Sequence, residues 1–184
     1  MKKWGANFML KLLGWRIVEP VPNSVSKAVL IVAPHTSNWD FIYGMLALLS
    51  SGINFKFLIK KAWVFFPLSL IMKALGAIPI ERNKLKKSLS QVDHVSQIIA
   101  NSSNVILVIT PEGTRSYTSK WRTGFYAISQ KANVPIMIGY IDYKTKSIGV
   151  KEVFYPTGDI EQDISYITNS YKGVSAKYPE KTNI

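Results

Sequence analysis

Cysteine is absent from this chain of 184 residues. Disulfides and thiolate metal sites are therefore excluded, and a cytosolic setting is permitted. Histidine is almost as scarce, with only His35 and His94. Acidic residues number 11 against 23 Lys and Arg, for a net charge of +12. The imbalance is local. Residues 1–92 hold 13 basic and 3 acidic side chains, for +10, and residues 93–184 hold 10 and 8, for +2. A basic first half attracts anionic lipid, nucleic acid or an acidic cosubstrate. Long apolar runs are missing too. The longest stretch, residues 62–80, is broken by Pro67, Lys73, Gly76 and Pro79. A membrane span needs about 20 predominantly apolar residues. The N-terminus has neither a small-residue cleavage site nor the longer apolar core of a signal peptide. Repeats, low-complexity segments and linkers are absent as well. One domain with its own core is expected at this length, and 47% apolar composition argues against disorder.

What is present is a set of apolar runs that end in chemistry-bearing residues. Ala28-Val29-Leu30-Ile31-Val32 reads as a buried strand, stopped by Pro34 and delivering His35 to a loop. Strand ends are where open α/β sheets keep their sites. Asp40 follows five residues on, a spacing that would turn the two side chains roughly 140° apart on one continuous helix. A loop entering a helix removes that separation. Ser37 or Asn38 can cap the helix, and Asp40 then falls in its first turn, where a carboxylate is favoured. An imidazole beside a carboxylate is a general base held in one tautomer. On spacing alone, a lone His followed by an Asp is ordinary. His94 lies in a polar helical stretch and reads as a solvated residue.

Two further runs behave alike. Val105-Ile106-Leu107-Val108-Ile109 ends in Thr110-Pro111-Glu112-Gly113-Thr114-Arg115-Ser116, and Ala77-Ile78-Pro79-Ile80 delivers Glu81 and Arg82. Either could be a surface turn with a local ion pair. Together, two arginines at strand ends suit a phosphate, which guanidinium binds in a bidentate fork.

The segments in this order resemble the glycerophospholipid acyltransferases, the family of the lysophosphatidic acid acyltransferases. His35 and Asp40 match its His-x4-Asp block. Ile78-Pro79-Ile80-Glu81-Arg82 matches its Ile-x-Ile-x-Arg type segment. Residues 111–116 match Pro-Glu-Gly-Thr-Arg-Ser in full, and Val134-Pro135-Ile136 matches the Val-Pro-Ile segment. The blocks span about residues 28 to 140. Pro34 replaces a frequent Asn, Thr110 a frequent Phe, and Ile138 a frequent second Pro; these departures leave the acceptor open.

The resemblance implies an O-acyltransferase that moves a fatty acyl group from acyl-CoA or acyl carrier protein (acyl-ACP) to a hydroxyl of a lysophospholipid-like acceptor, 1-acyl-glycerol-3-phosphate foremost, in membrane lipid synthesis. His35 would be the base and Asp40 its orienting partner, with no protein nucleophile and no cofactor or metal beyond the thioester cosubstrate. Arg82 and Arg115 would hold the acceptor's anionic group, with Glu112, Gly113 and Thr114 shaping that pocket. An acyltransferase on another lipid, a thioesterase using water, and a non-enzymatic basic membrane-binding protein are the alternatives. Nucleic acid is disfavoured, because the aromatics cluster in apolar runs instead of interleaving with basic residues.

The fold expected is α/β: a single domain with a central mixed, mostly parallel sheet flanked by helices, and an N-terminal membrane-surface helix. Strands are expected at residues 55–59, 135–141 and 148–154, with a turn at 143–146. Helices are expected at 84–100, at 121–132, and from an Asp159 cap to about Tyr171. Residues 62–80 read as a buried helix followed by a strand, with Trp63, Phe65, Phe66, Leu68, Leu70, Ile71 and Met72 mostly in the core. Trp4, Phe8, Leu12 and Trp15 recur at helical spacing with Lys2, Lys3, Lys11 and Arg16 about them, which suits a headgroup boundary. The division expected is a membrane-associating helix over 1–20, an acyltransferase domain over 21–178 and a loose tail over 179–184. The setting expected is the cytoplasmic face of an anionic membrane, as a peripheral protein.

Overall fold

The alternation of side chains along β-branched apolar runs builds a sheet buried on both faces. The computed structural model describes residues 3–63, 65, 67–80 and 85–184. Its strands are β1 (Arg16–Glu19), β2 (Lys27–Ala33), β3 (Phe55–Lys60), β4 (Ala77–Ile80), β5 (Val105–Ile109), β6 (Ile136–Asp142) and β7 (Ser147–Phe154). They form one sheet in the order β1-β7-β6-β2-β5-β3-β4. Every pairing is parallel except the β6–β7 hairpin. The helices are α1 (Lys3–Leu12), α2 (Asn38–Ser51), α3 (Leu68–Ala74), α4 (Leu85–Ala100), α5 (Gly124–Ala132) and α6 (Ile160–Asn169).

Val29 and Ile31 of β2, with Ile136 and Ile138 of β6, share a core with Val95 and Ile99 of α4, Phe125 and Ile128 of α5, and Ile167 of α6. Ala28, Leu30 and Met137 share a second core with Met45 and Leu48 of α2 and Met72 of α3. Ala6 and Leu10 of α1 join Leu46 of α2 and Ile148 of β7 in a third. Burying one such Leu or Ile side chain is worth about 1.5–3 kcal/mol. The second and third cores place α2 against the same sheet face, where β2 and β6 end in the loops that carry the site.

Four expectations are corrected. Helix α1 stops at Leu12, and residues 16–19 form β1, parallel to β7, inside the stretch read as helix. Gly14 makes the reversal with φ +75°, a left-handed conformation open to glycine. The reversal turns Trp15 inward, where it is only 4% exposed, so it is absent from the outer face that Trp4, Phe8 and Leu12 share at 79%, 53% and 68%. Helix α3 is a two-turn helix that buries Met72 and leaves Leu70 and Ile71 outside, with Phe65 before it exposed too. The side chains of Trp63, Phe66 and Leu68 lie outside the described residues. The α5 helix begins at Gly124, not Trp121, after the turn in which Arg122 N–H donates to Pro111 O at 2.9 Å. Finally, the tail is docked. It holds a 3-10 turn at Pro179–Lys181, Asn183 donates to Ser119 O, and Ile184 packs on the first core. His94 is exposed on α4.

Candidate active site

Strand β2 carries the chain to Ala33, and a cis peptide joins Ala33 to Pro34. His35 then lies in the loop before α2. Ser37 caps that helix: its Oγ accepts from Trp39 N–H at 3.2 Å, and Asp40 at the third helical position accepts from Ser37 N–H at 2.8 Å. This is a capping box, and it puts a carboxylate at the positive end of the helix dipole. The same carboxylate serves His35. Asp40 Oδ2 lies 3.1 Å from His35 Nδ1 and also accepts from Thr36 N–H at 2.8 Å. Asp40 Oδ1 accepts from the Tyr143 hydroxyl at 2.5 Å. Burial pushes the Asp40 carboxyl up, but the bonds from His35, Tyr143 and Ser37 outweigh it and leave the group below the ordinary aspartate value. Asp40 is thus an anion that fixes the imidazole with Nδ1 engaged. His35 Nε2 makes no hydrogen bond to the described residues.

The loop is held from behind by the loop after β5. His35 N–H donates to Glu112 Oε1 at 2.9 Å. Glu112 is buried, and its Oε2 has no hydrogen-bond partner among the described residues. Burial pushes its carboxyl up, against the backbone donors that favour the charged form. From the C-terminal side, Tyr178 N–H donates to Thr36 Oγ1 at 3.2 Å.

His35 opens on a cleft of about 1030 Å³. One wall is α2, through Phe41, Met45 and Leu48. The other is the sheet, through Leu30, Val32 and Val150, so most of the lining is apolar. At the His35 end the lining turns polar, with Gly113, Thr114, Arg115, Ser116 and Arg122. Gly113 has φ +64°, and a Cβ there would lie 2.8 Å from Arg122 Cδ and Nε. The Arg122 side chain therefore passes directly over the Gly113 backbone.

The structure brings together His35, Asp40, Gly113, Thr114 and Arg115 around one cleft. Glu112 stands behind it and shapes it through the His35 backbone. Arg82 lies outside the described residues. Tyr143 and Arg122 were not singled out from the sequence. Tyr143 sits in a turn whose composition signalled only a hairpin. Arg122 has one local signal, its place just before a helix and seven residues after Arg115. Among the described residues no group of His, Asp and Glu is placed to hold a metal ion, and no helix is long and apolar enough to cross a membrane.

The chain is similar to known proteins. A family model described as acyltransferase matches residues 15–139. The chain is 28% identical over 141 residues to a probable 1-acyl-sn-glycerol-3-phosphate acyltransferase of Mycoplasma pneumoniae, covering 71% of this chain and 51% of that protein. It therefore spans about half the length of that curated relative. The fold is similar to that of PlsC, the 1-acyl-sn-glycerophosphate (LPA) acyltransferase of Thermotoga maritima, with a TM-score of 0.64 at 15% identity, covering 92% of this chain and 75% of that one.

Proposed function

The chain belongs to the acyltransferase family, and from that premise we propose that it transfers a fatty acyl group from a thioester, acyl-CoA or acyl-ACP, to the free hydroxyl of a lysophospholipid-like acceptor. The acceptor favoured is 1-acyl-glycerol-3-phosphate, the substrate in the name of the Mycoplasma relative. The observation that carries this reading is the His35–Asp40 pair at the polar end of an apolar cleft.

The chemistry follows from the geometry. His35 Nε2 takes the acceptor's hydroxyl proton while that oxygen attacks the thioester carbonyl. A C–O bond forms, the C–S bond breaks, and the imidazolium returns its proton to the leaving thiolate. Asp40 stabilises the imidazolium without taking its proton, as in the acid–base half of a hydrolase triad. The acceptor supplies the nucleophile, so a chain without cysteine loses nothing. Arg115 and Arg122 offer the guanidinium groups for the acceptor's phosphate, and Arg82 joins them on the strength of its sequence block. The apolar lining suits an acyl chain.

The outer face of α1 carries Trp4, Phe8 and Leu12 with Lys11 beside them, as an interfacial helix does, while Lys3 lies against Gly52 at the end of α2. This supports a peripheral place on an anionic membrane, and the cytoplasmic face is part of the same proposal.

Purified protein with acyl-CoA or acyl-ACP, a panel of lysolipid and amino-lipid acceptors, and mass spectrometry of the products tests the reading. Phosphatidate formed from 1-acyl-glycerol-3-phosphate is the expected result. Release of free fatty acid at the same rate with and without acceptor would make the protein a thioesterase.

A further inference from the structure

The two oxygens of Asp40 have different surroundings. Oδ2 meets His35 Nδ1 and two backbone N–H groups of the loop. Among the described residues Oδ1 meets one donor, the hydroxyl of Tyr143, from the turn between β6 and β7. Asp40 itself is buried, at 4% exposure. Tyr143 is itself fixed. Its N–H donates to Ser175 O at 2.9 Å, and its ring meets Trp15 edge-on at 5.0 Å and Tyr43 at 6.1 Å.

We propose that Tyr143 is a positioning residue for the His35–Asp40 pair, its hydroxyl holding the far oxygen of Asp40 so that the near one stays directed at His35; this rests on the acyl-transfer reading above. A carboxylate held on one side only can rock about its Cβ–Cγ bond, and the ring it orients moves with it. Hydrogen bonds to ionised groups are the strong ones in a protein interior, and a buried charge deprived of one is left unsatisfied. The phenol is suited to the task. Burial and the Asp40 charge push it well above the usual tyrosine range, so it remains a donor. The other titratable groups facing Asp40 and Tyr143 are His35, Glu112, Tyr43 and Tyr178, with Lys177 Nζ 6.0 Å from the Tyr143 ring centre.

Tyr143→Phe keeps the ring and removes only the hydroxyl. In the intact chain, with acyl-CoA and 1-acyl-glycerol-3-phosphate, kcat should fall about 10- to 100-fold, with both KM values within about twofold of the wild type. In an Asp40→Asn background the same substitution should cost less than about threefold, since contacting residues that act as a unit are not additive. A structural role alone would lower the melting temperature and give additive losses, and that pattern overturns the proposal.

A readout without turnover separates this proposal from the acyl-transfer reading. The Asp40 carboxyl resonance, in protein with 13C-labelled aspartate and assigned by Asp40→Asn, should titrate at higher pH in Tyr143→Phe. An unmoved midpoint overturns the inference. Wild-type protein inert with every thioester overturns the acyl-transfer reading, while the carboxyl titration still decides the role of Tyr143 toward Asp40. If Tyr143→Phe fails to fold, the wild-type Tyr143 hydroxyl proton decides. A slowly exchanging resonance lost in Asp40→Asn supports the bond, and its absence overturns it.

Discussion

The backbone N–H of His35 donates to the buried side chain of Glu112, 2.9 Å away, and so ties the loop after β2 to the loop after β5. The tie uses one carboxylate oxygen and leaves the other without a partner among the described residues. Burial raises the Glu112 carboxyl, so ionising it costs more in the folded than in the unfolded chain. That cost is absent below the ordinary glutamate value and is fully present above the raised one. Glu112→Gln keeps an acceptor for His35 N–H and removes the charge. Its melting temperature relative to the wild type should rise as pH is taken from about 4 to 8. Thermal unfolding by circular dichroism at several pH values reads this, and a flat difference would show that Glu112 is not strained by its charge.

His35→Ala should lower acyl transfer by about 10²–10⁴-fold or more while the fold survives. Asp40→Asn should also be severe, because the ring loses its orienting anion. It should cost stability as well, because the capping box is weakened; losing a cap costs about 0.5–2 kcal/mol. The Asp40 carboxyl sits below its ordinary value, so its contribution is present above that value and fades as pH falls through the folded one. Rates and melts on the same preparations separate the two effects. Normal turnover by folded His35→Ala would end the proposed mechanism.

Arg115→Ala and Arg122→Ala should each raise the acceptor KM roughly tenfold or more, with a smaller effect on the donor KM. Steady-state kinetics with each substrate varied in turn checks this. A change confined to the donor KM would move that arginine to the thioester's side of the cleft.

Gly113→Ala should destabilise the protein by about 1–2 kcal/mol, the cost of a left-handed conformation for a residue with a Cβ. It should also weaken acceptor use, because the new carbon would displace Arg122 from its path over the turn. Denaturant unfolding gives the first quantity and the acceptor KM the second. Unchanged kinetics with lowered stability would mean that Arg122 is not part of the acceptor site.

Replacing Trp4, Phe8 and Leu12 together with Asp should release the protein from phosphatidylglycerol-containing vesicles without unfolding it, since none of the three is buried. Each Lys or Arg near the surface adds about 1 kcal/mol to membrane binding, so wild-type flotation should weaken with salt yet persist through the unscreened apolar part. Deleting residues 1–16 is the poorer test, because it removes buried Ala6, Leu10 and Trp15 along with the outer face. A folded triple variant that floats like the wild type would place the contact elsewhere, with Leu70 and Ile71 the next candidates.

The parts of the fold legible in the sequence are those where one signal decided the outcome. Strands β2 and β5 are unbroken apolar runs ended by proline, and each delivers its block where expected. A helix start at Ser37 or Asn38 with Asp40 in the first turn was also legible, because capping is local, and the structure selects Ser37. Strand β1 was hidden, since Arg-Ile-Val-Glu is short, mostly exposed and held by a partner far along the chain. Trp15 misled because a helical spacing was continued through Gly14. Tyr143 carries no local mark at all: its role depends on the hairpin returning to the start of α2, a relation between segments that composition does not encode.

Strand β1 also bears on how the chain assembles. Arg16 lies opposite Ser147, so the β1–β7 edge of the sheet forms only after about 130 further residues have been made. Such a non-local pairing is slow to nucleate, because a long loop must close first. Helix α1 precedes that strand, and its contacts with α2 span far less chain. During synthesis the aromatic outer face of α1 is therefore exposed before the last strands leave the ribosome. On the membrane-surface reading proposed above, a nascent chain would meet a bilayer through α1 while the sheet that will hold its cleft is still unfinished.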